Sequence, residues 1–213
     1  MPDARDDTFD DWSDYVRHAA ASDIGLRRTT NQDAWTVCRA ENELQWRRHG
    51  HLFAVADGMG AHAAGELASR LAIETVSKAY RELRSFGPAD AIRRAMVEAN
   101  ALIHARGLSR AEWLGMGTTC SVLLLVEQGA IVAHVGDSRV YRVRGGLIEQ
   151  LTFDHSLVWE LMDVGKISEN EVPHAIPKNV ITRSVGPNAS VEVDLEGPFP
   201  VETADCYLLC SDG

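Results

Sequence analysis

Apolar residues recur at four-residue steps in two stretches of the chain and gather in short, turn-bounded runs elsewhere. In the first stretch, Leu67 and Leu71 run beside Ala68, Ala72 and Val76, with Tyr80 and Leu83 extending the stripe, which predicts an amphipathic helix. The second opens at Gly87-Pro88 and carries Ile92, Met96, Ala99 and Ile103 on one face. The short runs predict strands over residues 16–21, 34–39, 52–56, 118–126, 130–135, 140–143, 147–151, 191–195 and 206–210. A polar connection carrying Trp46 and several basic residues joins the second of these to the third. Gln128-Gly129 and Gly145-Gly146 are short, glycine-bearing links suited to hairpins. After Asp154-His155-Ser156 the pattern turns helical over 157–164 and closes at Gly165, and Ser168 with Glu171 has the spacing of a capping box for another short helix. Hairpins, then paired helices, then more hairpins predict antiparallel sheets with helices packed outside them, the α+β class.

Composition narrows the class. The chain has 213 residues, 45% of them hydrophobic and 24% charged, which excludes disorder throughout and leaves enough material for one large core. No apolar run is long enough to cross a bilayer, and no cationic start leads into an apolar stretch. The formal net charge of -10 argues against nucleic-acid or anionic-membrane partners, because such a surface repels phosphate backbones. Cys38, Cys120, Cys206 and Cys210 each lie in an apolar, strand-like stretch and read as buried small hydrophobes of a reducing compartment, which makes the cytoplasm the expected location. Residues 1–15 are rich in aspartate and predict a frayed, flexible head; residues 16–213 read as one domain.

One chemical feature repeats. The apolar run at 53–56 ends in Asp57-Gly58, that at 132–135 leads through Gly136 to Asp137-Ser138, and that at 208–210 leads through Ser211 to Asp212-Gly213. Asn31-Gln32-Asp33 directly precedes another strand. A single aspartate of this kind is an ordinary turn residue. Several at one edge of a core would repel one another unless a cation sat among them, and ligation by oxygen alone selects a hard ion. The EF-hand loop of calcium sites is absent, so Mg²⁺ or Mn²⁺ fits better. Arg28, close to the acidic cluster, supplies a guanidinium of the kind that clamps phosphate oxygens. Metals that activate water beside such a clamp make a phosphomonoester hydrolase. Gly58-Met59-Gly60-Ala61-His62-Ala63 also matches a dinucleotide fingerprint, but the acid expected about twenty residues on falls where the pattern is still helical.

Taken in order, these residues resemble the metal-dependent Ser/Thr protein phosphatases of the PP2C (PPM) family, bacterial branch. The resemblance rests on Ser22-Asp23-Ile24-Gly25, Arg28, Asn31-Gln32-Asp33 and Asp57-Gly58-Met59-Gly60-Ala61-His62. It continues through Gly117-Thr118-Thr119, Val135-Gly136-Asp137-Ser138-Arg139, Asn179-Val180-Ile181-Thr182-Arg183 and Ser211-Asp212-Gly213. It implies a β-sandwich of two antiparallel sheets flanked by helices, with a metal centre at one end and a flap insert over about residues 155–185. It further implies two Mn²⁺ or Mg²⁺ ions, with Asp33 in the metal cluster, Asp57 bridging the pair, the Gly58 carbonyl on one ion and Asp212 on the other. Asp137 with Asp212 matches a third, weaker metal position, and Arg28 the phosphate-binding arginine. The implied substrates are phosphoproteins made by a Ser/Thr kinase, hydrolysed by a metal-activated water.

Three departures from the family pattern bear on activity. Gln32 stands where many relatives carry glutamate. Met59 occupies the place of the histidine that serves some relatives as general acid, leaving His62 as the candidate. The sequence also stops ahead of an Asp-Asn pair whose aspartate completes a metal site in relatives, so it reads as a fragment of a longer protein with low activity of its own. The alternative is a catalytically impaired PP2C-like domain that binds phosphoproteins or regulates.

Overall fold

The computed structural model describes residues 16–26, 28–60, 64–83, 85–165 and 180–211. Alternation sets its layers. In β4 (Cys120–Val126), Val122 and Leu124 face a core shared with helices, while Leu123 and Leu125 face the opposite way into a second core. Its partner β5 (Gly129–Val135) repeats the division, with Ile131, Ala133 and Val135 on the helical side and Ala130 and Val132 on the other. Both faces of these strands are buried, so they are apolar almost throughout rather than alternating with polar residues.

The strands β1 (Asp33–Cys38), β2 (His51–Met59), β4, β5 and β8 (Asp194–Phe199) run in that order across an antiparallel sheet, and the short β3 (Gly117–Thr118) pairs with the far end of β2. Behind it pack α2 (Ala64–Glu82) and α3 (Pro88–Leu108), which present Ala68, Ala72, Val76, Ile92, Met96, Ala99 and Ile103 to the sheet with almost no exposure. Each such Val, Ile or Met removed from water contributes about 2 kcal/mol. In front lies a second antiparallel sheet, β7 (Leu147–Gln150), β6 (Arg139–Arg144) and β9 (Cys206–Cys210), joined to the first through Leu123, Val132, Val140 and Leu151. The Gly145-Gly146 link has φ of 57° and 81°, the two left-handed residues of a tight hairpin between β6 and β7.

Several expectations shift. Residues 16–21 form no strand: Arg39 holds the Val16 carbonyl at 3.0 Å, but no ladder partner lines up beside the segment. The polar connection after β1 is a helix, α1 (Glu43–His49), which buries no residue and so shows no apolar stripe. The strand expected over 191–195 starts later, at Asp194, because its ladder with β5 begins at the His134–Asp194 pair. Val191 and Val193 still pack against the helical core without ladder bonds. Of the four cysteines, all free, only Cys120 is fully buried; Cys206 is exposed on β9, which among the described residues pairs with β6 alone. The α4 helix (Leu157–Asp163) ends as expected before Gly165, at φ 67°. The head over 1–15 and the short helix expected from Ser168 lie outside the described residues. No helix among the described residues is long and apolar enough to cross a membrane.

Candidate functional site

Local chemistry starts β1 where it does. Asn31 accepts the Asp33 N–H on its Oδ1 at 3.0 Å and donates its amide to Ser22 Oγ at 2.7 Å, turning the chain into the sheet. The antiparallel register then sets Asp33 directly opposite Asp57, so the two side chains leave the sheet on the same face. Asp57 does not end its strand: β2 continues through Gly58 and Met59, which pair with Thr118 and Gly117. The Asp57 N–H donates to Thr119 Oγ1 at 2.8 Å, and its carbonyl accepts from the Thr119 N–H and the Thr118 hydroxyl, both at 2.9 Å. Ser211, at the end of β9, donates its hydroxyl to Asp33 Oδ2 at 3.1 Å, so the second sheet delivers its last described residue to the same carboxylate.

Beside this pair the backbones come very close. A Cβ on Gly58 would lie 2.0 Å from the Gly65 carbonyl oxygen, and one on Gly65 would lie 2.7 Å from Gln32 Nε2. Glycine at both positions lets the first turn of α2 sit against β2. Gln32 is the hub of this contact. Its carbonyl accepts the Gly58 N–H at 3.0 Å, and its side-chain Oε1 accepts from Arg28 Nη1 at 3.2 Å. One amide side chain thus lies in hydrogen-bond contact with the arginine. Arg28 itself is exposed.

Asp137 lies on the turn between β5 and β6 and connects to Asp57 through hydroxyls. Ser138 Oγ is 2.7 Å from Thr119 Oγ1, the group that receives the Asp57 N–H. Ser121 donates its one hydroxyl proton to the Ser138 carbonyl at 2.9 Å, so at its other contact, 2.9 Å from His134 Nδ1, the histidine must be the donor. His134 is then neutral with its proton on Nδ1, and its buried Nε2 has no partner. Burial, with a smaller contribution from the neighbouring His155, lowers its pKa from the ordinary 6.5 to about 4. The unfolded chain takes up a proton between these values and the folded chain does not, so stability falls as pH drops through that window. At pH 5 the loss relative to pH 7 should be about 2 kcal/mol. Urea midpoints at the two pH values measure it. His134→Asn, whose amide keeps the donor to Ser121 but cannot titrate, should flatten the difference.

Of the residues the sequence nominated, the structure brings Asp33, Asp57 and Gly58 together, places Arg28 on Gln32 beside them and ties the Asp137 turn to the same edge. His62 and Asp212 lie outside the described residues. Thr119, Ser138 and Gly65 were not singled out by their chemistry, since a hydroxyl or glycine inside an apolar run carries no signal until its neighbour across the sheet is known. Carboxylates facing one another across a strand pair are destabilising unless a cation lies between them, and oxygen donors alone select a hard divalent ion. Asp33, Asp57 and the Gly58 carbonyl are oxygen donors of the kind such an ion takes. Among the described residues no group of three or more His, Cys, Asp or Glu side chains completes a cage around it.

Known proteins resemble this chain over most of its length. The family model for Protein phosphatase 2C matches residues 18–159. The serine/threonine phosphatase stp of Listeria monocytogenes is 39% identical over 163 residues, covering 75% of this chain and 64% of that protein. The chain thus spans 64% of the length of the first curated relatives it matches. The crystal structure of the Mycobacterium tuberculosis serine/threonine phosphatase PstP/Ppp superposes with a TM-score of 0.77 at 34% identity, covering 92% of this chain and 78% of that one. A PstP catalytic domain solved in complex with two manganese ions gives a TM-score of 0.70 at 32% identity, over 92% of this chain and 77% of that one.

Proposed function

This chain belongs to the protein phosphatase 2C family, and we propose that it hydrolyses phosphoserine and phosphothreonine esters in proteins. The observation that carries the reading is the Asp33–Asp57 pair, opposed in register at one sheet edge with Arg28 alongside. In this reading Asp33, Asp57, the Gly58 carbonyl and Asp212 hold two Mn²⁺ or Mg²⁺ ions, and Asp137 with Asp212 holds a third, weaker one. Bound metal would supply positive charge for the phosphoryl oxygens and acidify a water to serve as nucleophile. Arg28, steadied by Gln32 Oε1, binds the phosphate oxygens and turns the phosphorus toward the acidic edge. His62 is the candidate to return a proton to the departing serine or threonine oxygen.

The test is release of phosphate from a phosphothreonine peptide with Mn²⁺ present, lost on chelation and restored on adding the metal back. Arg28→Ala should raise KM about tenfold, with kcat changed less, because one charge-assisted contact to the substrate is removed. An unchanged KM would take Arg28 out of the clamp. A chain that binds the phosphopeptide without turnover would favour the alternative, a regulatory or phosphoprotein-binding domain.

A further inference from the structure

Two consecutive side chains grip both flanks of the Asp137 turn. On one flank, Gly136 donates its N–H to His155 Nδ1 at 3.0 Å and accepts the His155 N–H on its carbonyl at 2.7 Å. On the other, Arg139 Nε bonds both oxygens of Asp154 at 2.9 and 3.0 Å, and its Nη2 reaches Oδ2 at 2.5 Å. Gly136 has φ 115° and its Cα lies hard against Thr119, where a Cβ would come within 2.6 Å. The turn therefore has little freedom to settle elsewhere once these bonds are made.

His155 is anchored in turn. Its Nδ1 is an acceptor, so its ring proton sits on Nε2 and is donated to Asp194 Oδ2 at 2.9 Å. Asp194, on β8, takes Arg183 on its other oxygen. The His155 carbonyl accepts the Thr182 N–H at 2.9 Å, and the next residue, Ser156, caps α4. His134 stacks on the same ring at a centroid distance of 4.9 Å and closes the remaining side. The imidazole thus joins the Asp137 turn to β8, while the backbone of the same residue holds the segment carrying Thr182 and leads into α4. None of these bonds involves Arg28.

We propose that His155 is a positioning residue for divalent-metal binding, acting through Gly136 to hold the Asp137 turn in the geometry that binds the weaker ion. The inference rests on the reading of Asp137 as a metal ligand. Groups that orient metal ligands typically change affinity by about ten- to a hundredfold when removed.

The two amide replacements separate the two bonds. His155→Gln places an amide nitrogen near the Nε2 position and keeps Asp194 company, but it gives Gly136 no acceptor. His155→Asn offers an oxygen near the Nδ1 position to Gly136 and abandons Asp194. The probe is Mn²⁺ alone, titrated into the chain by calorimetry, with urea midpoints measured in parallel. His155→Gln should weaken the lower-affinity Mn²⁺ step about tenfold, Asp137→Asn should remove it, and the double variant should be no worse than Asp137→Asn. His155→Asn should recover most of the affinity lost in His155→Gln. If His155→Gln moves the urea midpoint and leaves the Mn²⁺ isotherm untouched, the side chain is only structural and the proposal is overturned. Should His155→Gln not fold, Asp194→Asn is the second variant. It loosens the imidazole from behind and should shift the same step about threefold; an unchanged isotherm there also overturns the proposal. Failure of the wild-type chain to bind Mn²⁺ at all would instead remove the metal reading on which the inference stands.

Discussion

Asp57→Asn should cut Mn²⁺-dependent phosphate release by about a thousandfold or more, equivalent to about 4 kcal/mol of transition-state stabilisation. The fold should survive the change. Asp57 is held by its backbone, through the Thr119 hydroxyl on its N–H and the Thr118 hydroxyl and Thr119 N–H on its carbonyl, and none of these bonds involves the carboxylate. Asparagine has nearly the same shape and keeps all of them. Since those backbone bonds persist, the urea midpoint of the metal-free chain should change little. A large loss of activity with little change in metal-free stability is what distinguishes a carboxylate placed for a cation from one placed for packing. Undiminished turnover in the variant, or a metal-free chain that is strongly destabilised, would contradict the assignment. Steady-state rates with the phosphothreonine peptide and a urea curve in the presence of chelator supply both readouts.

Where a segment's neighbours are determined by its own pattern, the chain announces its structure. Residues 206–210 are bounded and apolar and form β9 over the expected span; Ile92, Met96, Ala99 and Ile103 recur at helical spacing and lie fully buried in α3. Where structure depends on a polar contact, the pattern is blind. α1 buries nothing and is held by its ends: Asn42 Oδ1 accepts the Gln45 N–H, and Gly50 at φ 63° closes the helix on the Trp46 carbonyl. Those caps were present in the sequence, but without an apolar stripe they did not stand out. The candidate site divides likewise. Aspartates at the ends of apolar runs nominate Asp33 before one run and Asp57 and Asp137 after two others, because the residue type itself carries the chemistry. The groups that fix their positions, Thr119, Gly65 and His155, are recognisable only once the sheet register and the approach of α2 are known. Asp154-His155-Ser156 was visible as punctuation before α4, and its two grips on the Asp137 turn were not.

Gly58→Ala should be the most damaging single-methyl change at this edge. Its Cβ would stand 2.0 Å from the Gly65 carbonyl oxygen, 2.4 Å from the Gly65 carbonyl carbon and 2.8 Å from the Gln32 carbonyl oxygen. All three are backbone atoms, so no side-chain rotation relieves the contact; either α2 must move off β2 or the strand must bow. Overpacking of this kind costs about 3 kcal/mol or more where the neighbours cannot yield. The displacement also lands on Gln32, whose carbonyl holds the Gly58 N–H and whose side chain holds Arg28. Metal binding and phosphate recognition should therefore weaken along with stability. Gly87→Ala is the control: nothing lies within 4 Å of a Cβ there, and as the N-cap of α3 it should lose no more than about 1 kcal/mol. Gly107→Ala, inside α3 with the Trp113 carbonyl at 3.2 Å, trades slight crowding against about 1 kcal/mol of helix propensity and should fall near neutral. If Gly58→Ala matched these two in stability, the first turn of α2 would be free to retreat from β2. The close approach could then not be what holds Gln32 and Arg28 against the acidic edge.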